Sequence, residues 1–234
     1  MKIQGLQELT LIDYPGKIAC TIFLFGCNFK CGFCHNPELV LNPVGKSYTK
    51  KEILEFLEKR KGQLEGVCIT GGEPLLTLEV DFLKKIKELG YEIKLDTNGS
   101  FPELLKELIK NKLIDYVAMD IKSSRAKYSE ITDSDVEIKD IEKSIKILSS
   151  LLDYYEFRTT ILEDFHNLKE MQEISKWLNE LCSKKPKKLV LQGFKNQGKF
   201  IDEKFKKVKN VEENSLKELK KGVEDFFEEV EIRV

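Results

Sequence analysis

Three cysteines lie within eight residues, Cys27-Asn-Phe-Lys-Cys31-Gly-Phe-Cys34. Iron-sulfur clusters take thiolate ligands, and three thiolates on one short loop hold three corners of a 4Fe-4S cube while leaving the fourth iron without a protein ligand. An open iron can take a chelating small molecule, so the spacing points to a reactive cluster. The alternative is a closed zinc site built from Cys27, Cys31, Cys34 and His35, because zinc accepts Cys3His tetrahedra. Two features weigh against zinc: a second C-x-x-C pair is absent, and His35 directly follows Cys34, a poor place from which to close the same metal. Cys20, Cys68 and Cys182 are scattered along the chain and read as small apolar core residues.

The other residues suited to chemistry recur at one place in the pattern, directly after a short apolar run. They are Gly71-Gly72-Glu73, Asp96-Thr97-Asn98-Gly99, Asp120 with Lys122, and Gln192, while Arg158 lies inside such a run. Each also has a plainer reading. Gly71-Gly72 could be a tight turn, and Asn98-Gly99 is a common turn dipeptide. Asp120 and Lys122 could pair with each other, Arg158 could satisfy a neighbouring carboxylate, and Gln192 could cap a backbone group.

The elements that must position these groups alternate. Ile18 to Phe25 reads as a strand ending at Gly26 and the first cysteine. Thr49-Lys-Lys-Glu52 reads as a capping box opening a helix to about residue 60, with Ile53, Leu54, Phe56 and Leu57 on its apolar face. Further strands are expected at 67–70, 91–95, 116–121, 154–161 and 189–192. Helices are expected at 78–89, stopped by Gly90, from Ser100-Phe-Pro102-Glu103 onward, through Ile141, Ile145 and Leu148, and at 168–181. Residues 123–137 and the Lys-rich 195–214 read as loops. A last amphipathic helix carries Leu216, Leu219, Val223, Phe226 and Phe227 before the chain ends at 229–234.

Six such βα units imply an α/β fold with a parallel sheet and right-handed crossovers, a partial (βα)6 TIM-like barrel, with an open doubly wound sheet as the alternative. In a parallel barrel the strand C-termini share one face, so the scattered polar groups would meet at one site. Residues 1–234 are expected to form a single domain, with 1–17 an N-terminal extension and 195–234 a loop, helix and tail packed on the barrel.

The 39 Lys and Arg against 40 Asp and Glu leave a net charge of -1, which gives no global basic field for nucleic acid or an anionic membrane. No signal-peptide pattern opens the chain, and the longest apolar stretch falls short of the ~20 residues of a membrane span. A cytoplasmic protein is expected, in which cysteines serve as ligands or buried thiols rather than disulfides.

With an aromatic residue before its last cysteine, Cys27-x3-Cys31-x-Phe33-Cys34 resembles the signature of the radical S-adenosylmethionine (SAM) superfamily, in which the open iron chelates the amino and carboxylate groups of SAM. The resemblance implies that Gly71, Gly72 and Glu73 serve the methionine amino group and that Phe33 lies near the adenine. It implies too that Asp96, Asn98, Asp120 and Lys122, in segments similar to those of glycyl-radical activating enzymes, line the SAM pocket, and that Arg158 pairs with the SAM carboxylate; Gln192 is expected in the same pocket.

Gly5 to Gly16 and Phe25 to Leu39 resemble the activating proteins of anaerobic ribonucleoside-triphosphate reductase. That likeness implies a 5'-deoxyadenosyl radical formed by one-electron cleavage of SAM, a glycyl-radical enzyme as partner, and an external flavodoxin or ferredoxin as electron donor. The segment before Ile18 is expected to form part of the partner's docking surface. His166 is expected to cap the following helix rather than to touch substrate. Rival readings are a superfamily member acting on a small molecule, as 7-carboxy-7-deazaguanine synthase does, an activator of another glycyl-radical enzyme such as pyruvate formate-lyase, and a non-enzymatic zinc or electron-transfer module.

Overall fold

The computed structural model describes residues 1–234. Eight strands form one sheet in sequential order: β1 (Ile3–Thr10), β2 (Ala19–Leu24), β3 (Gly66–Gly71), β4 (Glu92–Thr97), β5 (Tyr116–Asp120), β6 (Tyr155–Ile161), β7 (Lys188–Gly193) and β8 (Glu229–Arg233). The helices are α1 (Pro37–Val40), α2 (Lys50–Lys59), α3 (Val80–Glu88), α4 (Pro102–Lys110), α5 (Tyr128–Thr132), α6 (Ile138–Leu151), α7 (Leu168–Leu181) and α8 (Glu213–Val223). β2 pairs with β3, β3 with β4, β6 with β7 and β7 with β8 in parallel, whereas β1 runs antiparallel to β2. Strands in unbroken sequential order match the winding of a partial barrel rather than that of a doubly wound sheet, whose strand order reverses at a switch point.

Local chemistry sets the helix ends. Thr49 and Glu52 make both hydrogen bonds of the capping box at α2, and Asn167 accepts from the Glu170 N–H at the start of α7. Gly90 follows α3 at φ 93°, a left-handed position that only glycine adopts without strain. In β3, Val67, Cys68 and Ile69 are all fully buried, as expected of a parallel strand covered on both faces.

Four segments carry structure that the sequence did not show. Residues 1–17 contain β1, whose Ile3 lies opposite Leu24 and whose Thr10 lies opposite Ala19. The chain start therefore sits beside the end of β2 that leads to the cysteines, and Phe25 N–H donates to the Lys2 carbonyl. Leu11 and Ile12, both strongly exposed, lie at the other end of β2, so the part of this segment near the cysteine end is its first few residues.

Residues 123–137 are not all loop. A 3-10 turn at Arg125–Lys127 leads into α5, which has too few apolar positions to show a period but buries Tyr128 and Ile131.

Residues 195–214 form a strap with a 3-10 turn at Glu203–Lys207 and an apolar underside of Phe200, Phe205 and Val211. Those three anchors are spaced without a period among exposed lysines, so the stretch carries no pattern of its own. The chain end is a strand, because Val230 and Ile232 alternate with Glu229, Glu231 and Arg233.

The chain divides into two compact units. The first comprises residues 1–28, 36–97 and 103–117; the second comprises 29–35, 98–102 and 118–234. No helix is long and apolar enough to cross a membrane.

Candidate functional site

In the first unit, β2 delivers the chain to Cys27 and β3 delivers Gly71-Gly72-Glu73 alongside it. Gly72 N–H donates to the Leu24 carbonyl at 2.9 Å and Glu73 N–H to the Gly26 carbonyl at 2.7 Å. A Cβ on Gly72 would lie 2.0 Å from the Gly26 oxygen and 3.2 Å from the Cys27 nitrogen. Gly71, at φ 124°, would place a Cβ 2.3 Å from the Leu24 oxygen. Both glycines are therefore required by the close approach of two backbones, and they lock the Glu73 loop to the backbone that carries Cys27.

Glu73 is completely buried. Its Oε1 accepts from the Leu75 N–H at 3.0 Å and the Thr97 hydroxyl at 2.8 Å, which fixes the carboxylate at the C-terminal ends of β3 and β4.

Asp96 accepts from the Thr70 hydroxyl at 3.2 Å and from the buried ammonium of Lys94, two residues earlier on the same face of β4. Sequence reasoning missed Lys94 and gave Thr97 no role apart from its segment. A lysine inside the apolar run Ile93-Lys94-Leu95 was the available sign of an inward-facing partner.

In the second unit, Cys34 N–H donates to the Cys31 carbonyl at 2.9 Å, a tight turn that brings the two thiols onto one short loop. Burial pushes the Cys31 thiol up to about 11, with the Lys122 ammonium acting in the opposite direction. All three cysteines of the motif are free of disulfides. Within the second unit Cys31 and Cys34 share one short loop, and the Lys122 ammonium favours the thiolate form of the buried Cys31, the form in which cysteine binds a metal.

Asp120 stands between two cations of the second unit. Arg158 Nε donates to its Oδ1 at 2.9 Å and Lys122 Nζ to its Oδ2 at 2.9 Å. Burial would raise the Asp120 carboxyl pKa, but Arg158 and Lys122 outweigh it and hold the group well below the usual carboxylate range. Burial pulls Lys122 down and Asp120 overrides it, so the ammonium pKa is raised. Asp120 thereby orients two cationic groups, side chains of the kind that meet a ligand carboxylate.

His166 is buried and does not cap α7, a task that falls to Asn167. Its Nδ1 accepts from the Leu162 N–H at 3.0 Å, which leaves Nε2 protonated to donate to the Lys122 carbonyl at 2.9 Å. The ring thus ties the loop after β6 to the backbone of Lys122.

Asn98 Oδ1 accepts from both the N–H and the hydroxyl of Ser100, at 3.0 and 2.6 Å, an Asx turn that shapes the loop into α4. Gln192 is exposed on β7, in register with Thr160 and Arg233.

Phe33 is buried edge-on against Phe205 of the strap, with ring centroids 6.0 Å apart. Asp202 N–H donates to the Gly32 carbonyl at 3.0 Å. His35 lies against Phe194 and Phe200, 5.5 and 5.0 Å between centroids, and its Nδ1 is 3.3 Å from the Gln197 carbonyl. The strap is thus seated on the loop that carries Cys31 and Cys34. A groove of about 780 Å3 lined by Lys50 and Leu54 of α2, Phe82 of α3 and Glu79 just before α3 involves none of these groups.

A family model described as the radical SAM superfamily matches residues 21–178. A protein of Methanocaldococcus jannaschii named as a glycyl-radical enzyme activating enzyme is 35% identical over 237 residues, covering 99% of this chain and 95% of the relative. The pyruvate formate-lyase-activating enzyme of Clostridium pasteurianum is 35% identical over 127 residues, 52% of each chain. Among solved structures, SuiB of Streptococcus suis bound to S-adenosylmethionine superposes with a TM-score of 0.69 at 17% identity, over 91% of this chain and 49% of that one. That likeness is one of fold. The chain belongs to the radical SAM superfamily of enzymes, and it is homologous over nearly its whole length to a glycyl-radical enzyme activating enzyme.

Proposed function

We propose that this protein is an activating enzyme that generates a glycyl radical on anaerobic ribonucleoside-triphosphate reductase. The observation that carries the reading is the joining of Gly71-Gly72-Glu73 to the backbone of Gly26 and Cys27, which sets a fixed polar loop against the first cluster ligand. The near full-length relationship to a glycyl-radical enzyme activating enzyme supports the reaction class. The Gly5 to Gly16 and Phe25 to Leu39 stretches support the choice of client.

In this reading Cys27, Cys31 and Cys34 hold a 4Fe-4S cluster. The cluster and SAM, when bound, supply the one-electron cleavage that yields a hydrogen-abstracting radical. The chain's own residues do the positioning. Gly71, Gly72 and Glu73 receive the methionine amino group, Arg158 and Lys122 draw in the carboxylate, and Asp120 holds both cations in place. Phe33 packs near the adenine, with Asp96, Asn98 and Gln192 completing the pocket. The strap of Phe200 and Phe205 keeps water from the loop of Cys31 and Cys34. A flavodoxin or ferredoxin delivers the electron.

The test is electron paramagnetic resonance of the reductase after anaerobic incubation with the reconstituted protein, SAM and reductant. A glycyl doublet that needs all three cysteines is expected. SAM cleavage with no radical on the reductase would refute the assignment of client.

A further inference from the structure

The strap presents two faces. Its underside seats Phe205 on Phe33 and against Gly32, where a Cβ would meet the Phe205 ring at 2.8 Å. Its outer face is basic. Between residues 195 and 209 six lysines stand against Asp202 and Glu203, a local charge of +4 in a chain whose net charge is -1. Lys204 and Lys206 pair with Asp202 and Glu203 at 2.9 and 2.5 Å. Lys207 and Lys209 are exposed and enter no ion pair. The positive patch is therefore anchored directly over the loop of Cys31 and Cys34.

We infer that this outer face is the docking surface for an acidic one-electron carrier protein. The inference rests on the proposal that the three cysteines hold a reducible cluster. One-electron transfer weakens steeply with distance, so a donor must settle close to the ligand loop, and the strap is the part of the second unit that covers it. A concentrated positive patch on a nearly neutral protein steers a negatively charged partner to that spot and disfavours cationic ones. The redox step is balanced without bond-making: the carrier loses one electron and the cluster gains it.

The experiment follows cluster reduction by stopped-flow absorbance, using a reduced acidic flavodoxin as the carrier and the methyl viologen cation radical as a small reductant that needs no docking. The variant K207E/K209E brings the strap charge to zero without touching the two internal ion pairs. K106E/K110E makes the same net change on exposed positions of α4.

At low ionic strength K207E/K209E is expected to slow reduction by flavodoxin about tenfold and to flatten its salt dependence. Reduction by methyl viologen and the iron content should match those of the parent, as should all properties of K106E/K110E. Equal slowing in the two variants, or an unchanged rate and salt slope in K207E/K209E, would overturn the docking surface alone. Slowing with both reductants would place the effect on the cluster and likewise overturn it. A parent protein that assembles no reducible cluster would overturn this inference together with the proposed function.

Discussion

Gly72→Ala tests whether the glycine pair is structural geometry in the service of the cluster loop. The added methyl would sit 2.0 Å from the Gly26 oxygen, where real Cβ contacts stay beyond 3.0 Å, so the two backbones must part by about 1 Å. That oxygen also accepts the Glu73 N–H, and Gly72 itself donates to Leu24, so separation strains two buried hydrogen bonds. At about 1 kcal/mol for each bond plus overpacking strain of similar size, the expected loss is roughly 2–3 kcal/mol. For a chain of this length that corresponds to a melting temperature lower by about 5–10 °C.

The assay is an anaerobic thermal melt of the apoprotein, paired with iron content after reconstitution. Gly90→Ala is the comparison, because its methyl meets nothing within 4 Å and only its φ of 93° is strained. It should cost about 1 kcal/mol and leave iron loading unchanged. A Gly72→Ala protein that melts like Gly90→Ala and loads iron fully would refute the reasoning.

Three further predictions concern buried polar groups. Burial lowers the His166 pKa, with the hydrogen bond to Lys122 and the Glu170 charge only partly opposing it. The unfolded chain then takes up its proton first as pH falls below about 6.5, so the stability held above that pH is lost toward the lower folded pKa. Denaturant midpoints between pH 7.5 and 5.5 should show this slope, and His166→Gln should lack it; equal slopes would contradict the assignment.

Arg233→Met removes the two-pronged guanidinium contact, at 3.2 and 3.1 Å, from the fully buried carboxylate of Glu156 and should cost about 2–3 kcal/mol. Adding Glu156→Gln should restore part of that loss in the double variant, and an unchanged melt of the single variant would dismiss the contact as weak. Thr97→Val removes one donor to Glu73 and should lower stability by about 1–2 kcal/mol, checked by the same melt.

Most of the architecture was legible because parallel strands and amphipathic helices carry different periods. α7 appears at the expected residues, and the capping box at Thr49 forms both of its bonds. What escaped were the sheet edges and the strap. β1 reads poorly because its outer residues are polar, Gln7 and Glu8 among them, and because irregularities in the pairing with β2 break its alternation. β8 has the alternation but only five residues of it. The strap escaped because three apolar anchors spread through a lysine-rich stretch give no period, although each is buried.

Within the site, residue types were legible and their partners were not. The sequence places Asp120 and Lys122 at a strand end and Arg158 inside a strand; the fold adds that the carboxylate holds both cations, and that His166 holds the backbone of one of them. Glu73 is committed in the same way, to Thr97 and the Leu75 N–H. Charged groups that are already hydrogen-bonded and buried lose little freedom when a ligand arrives, and they need no rearrangement to meet its charges. Under the proposed function, in which the chain fixes a sulfonium compound beside a cluster, such preorganisation serves better than a mobile general base would. The same logic explains why glycines rather than catalytic side chains stand at the closest approach, between Gly72 and Gly26: what must be controlled there is the separation of two backbones.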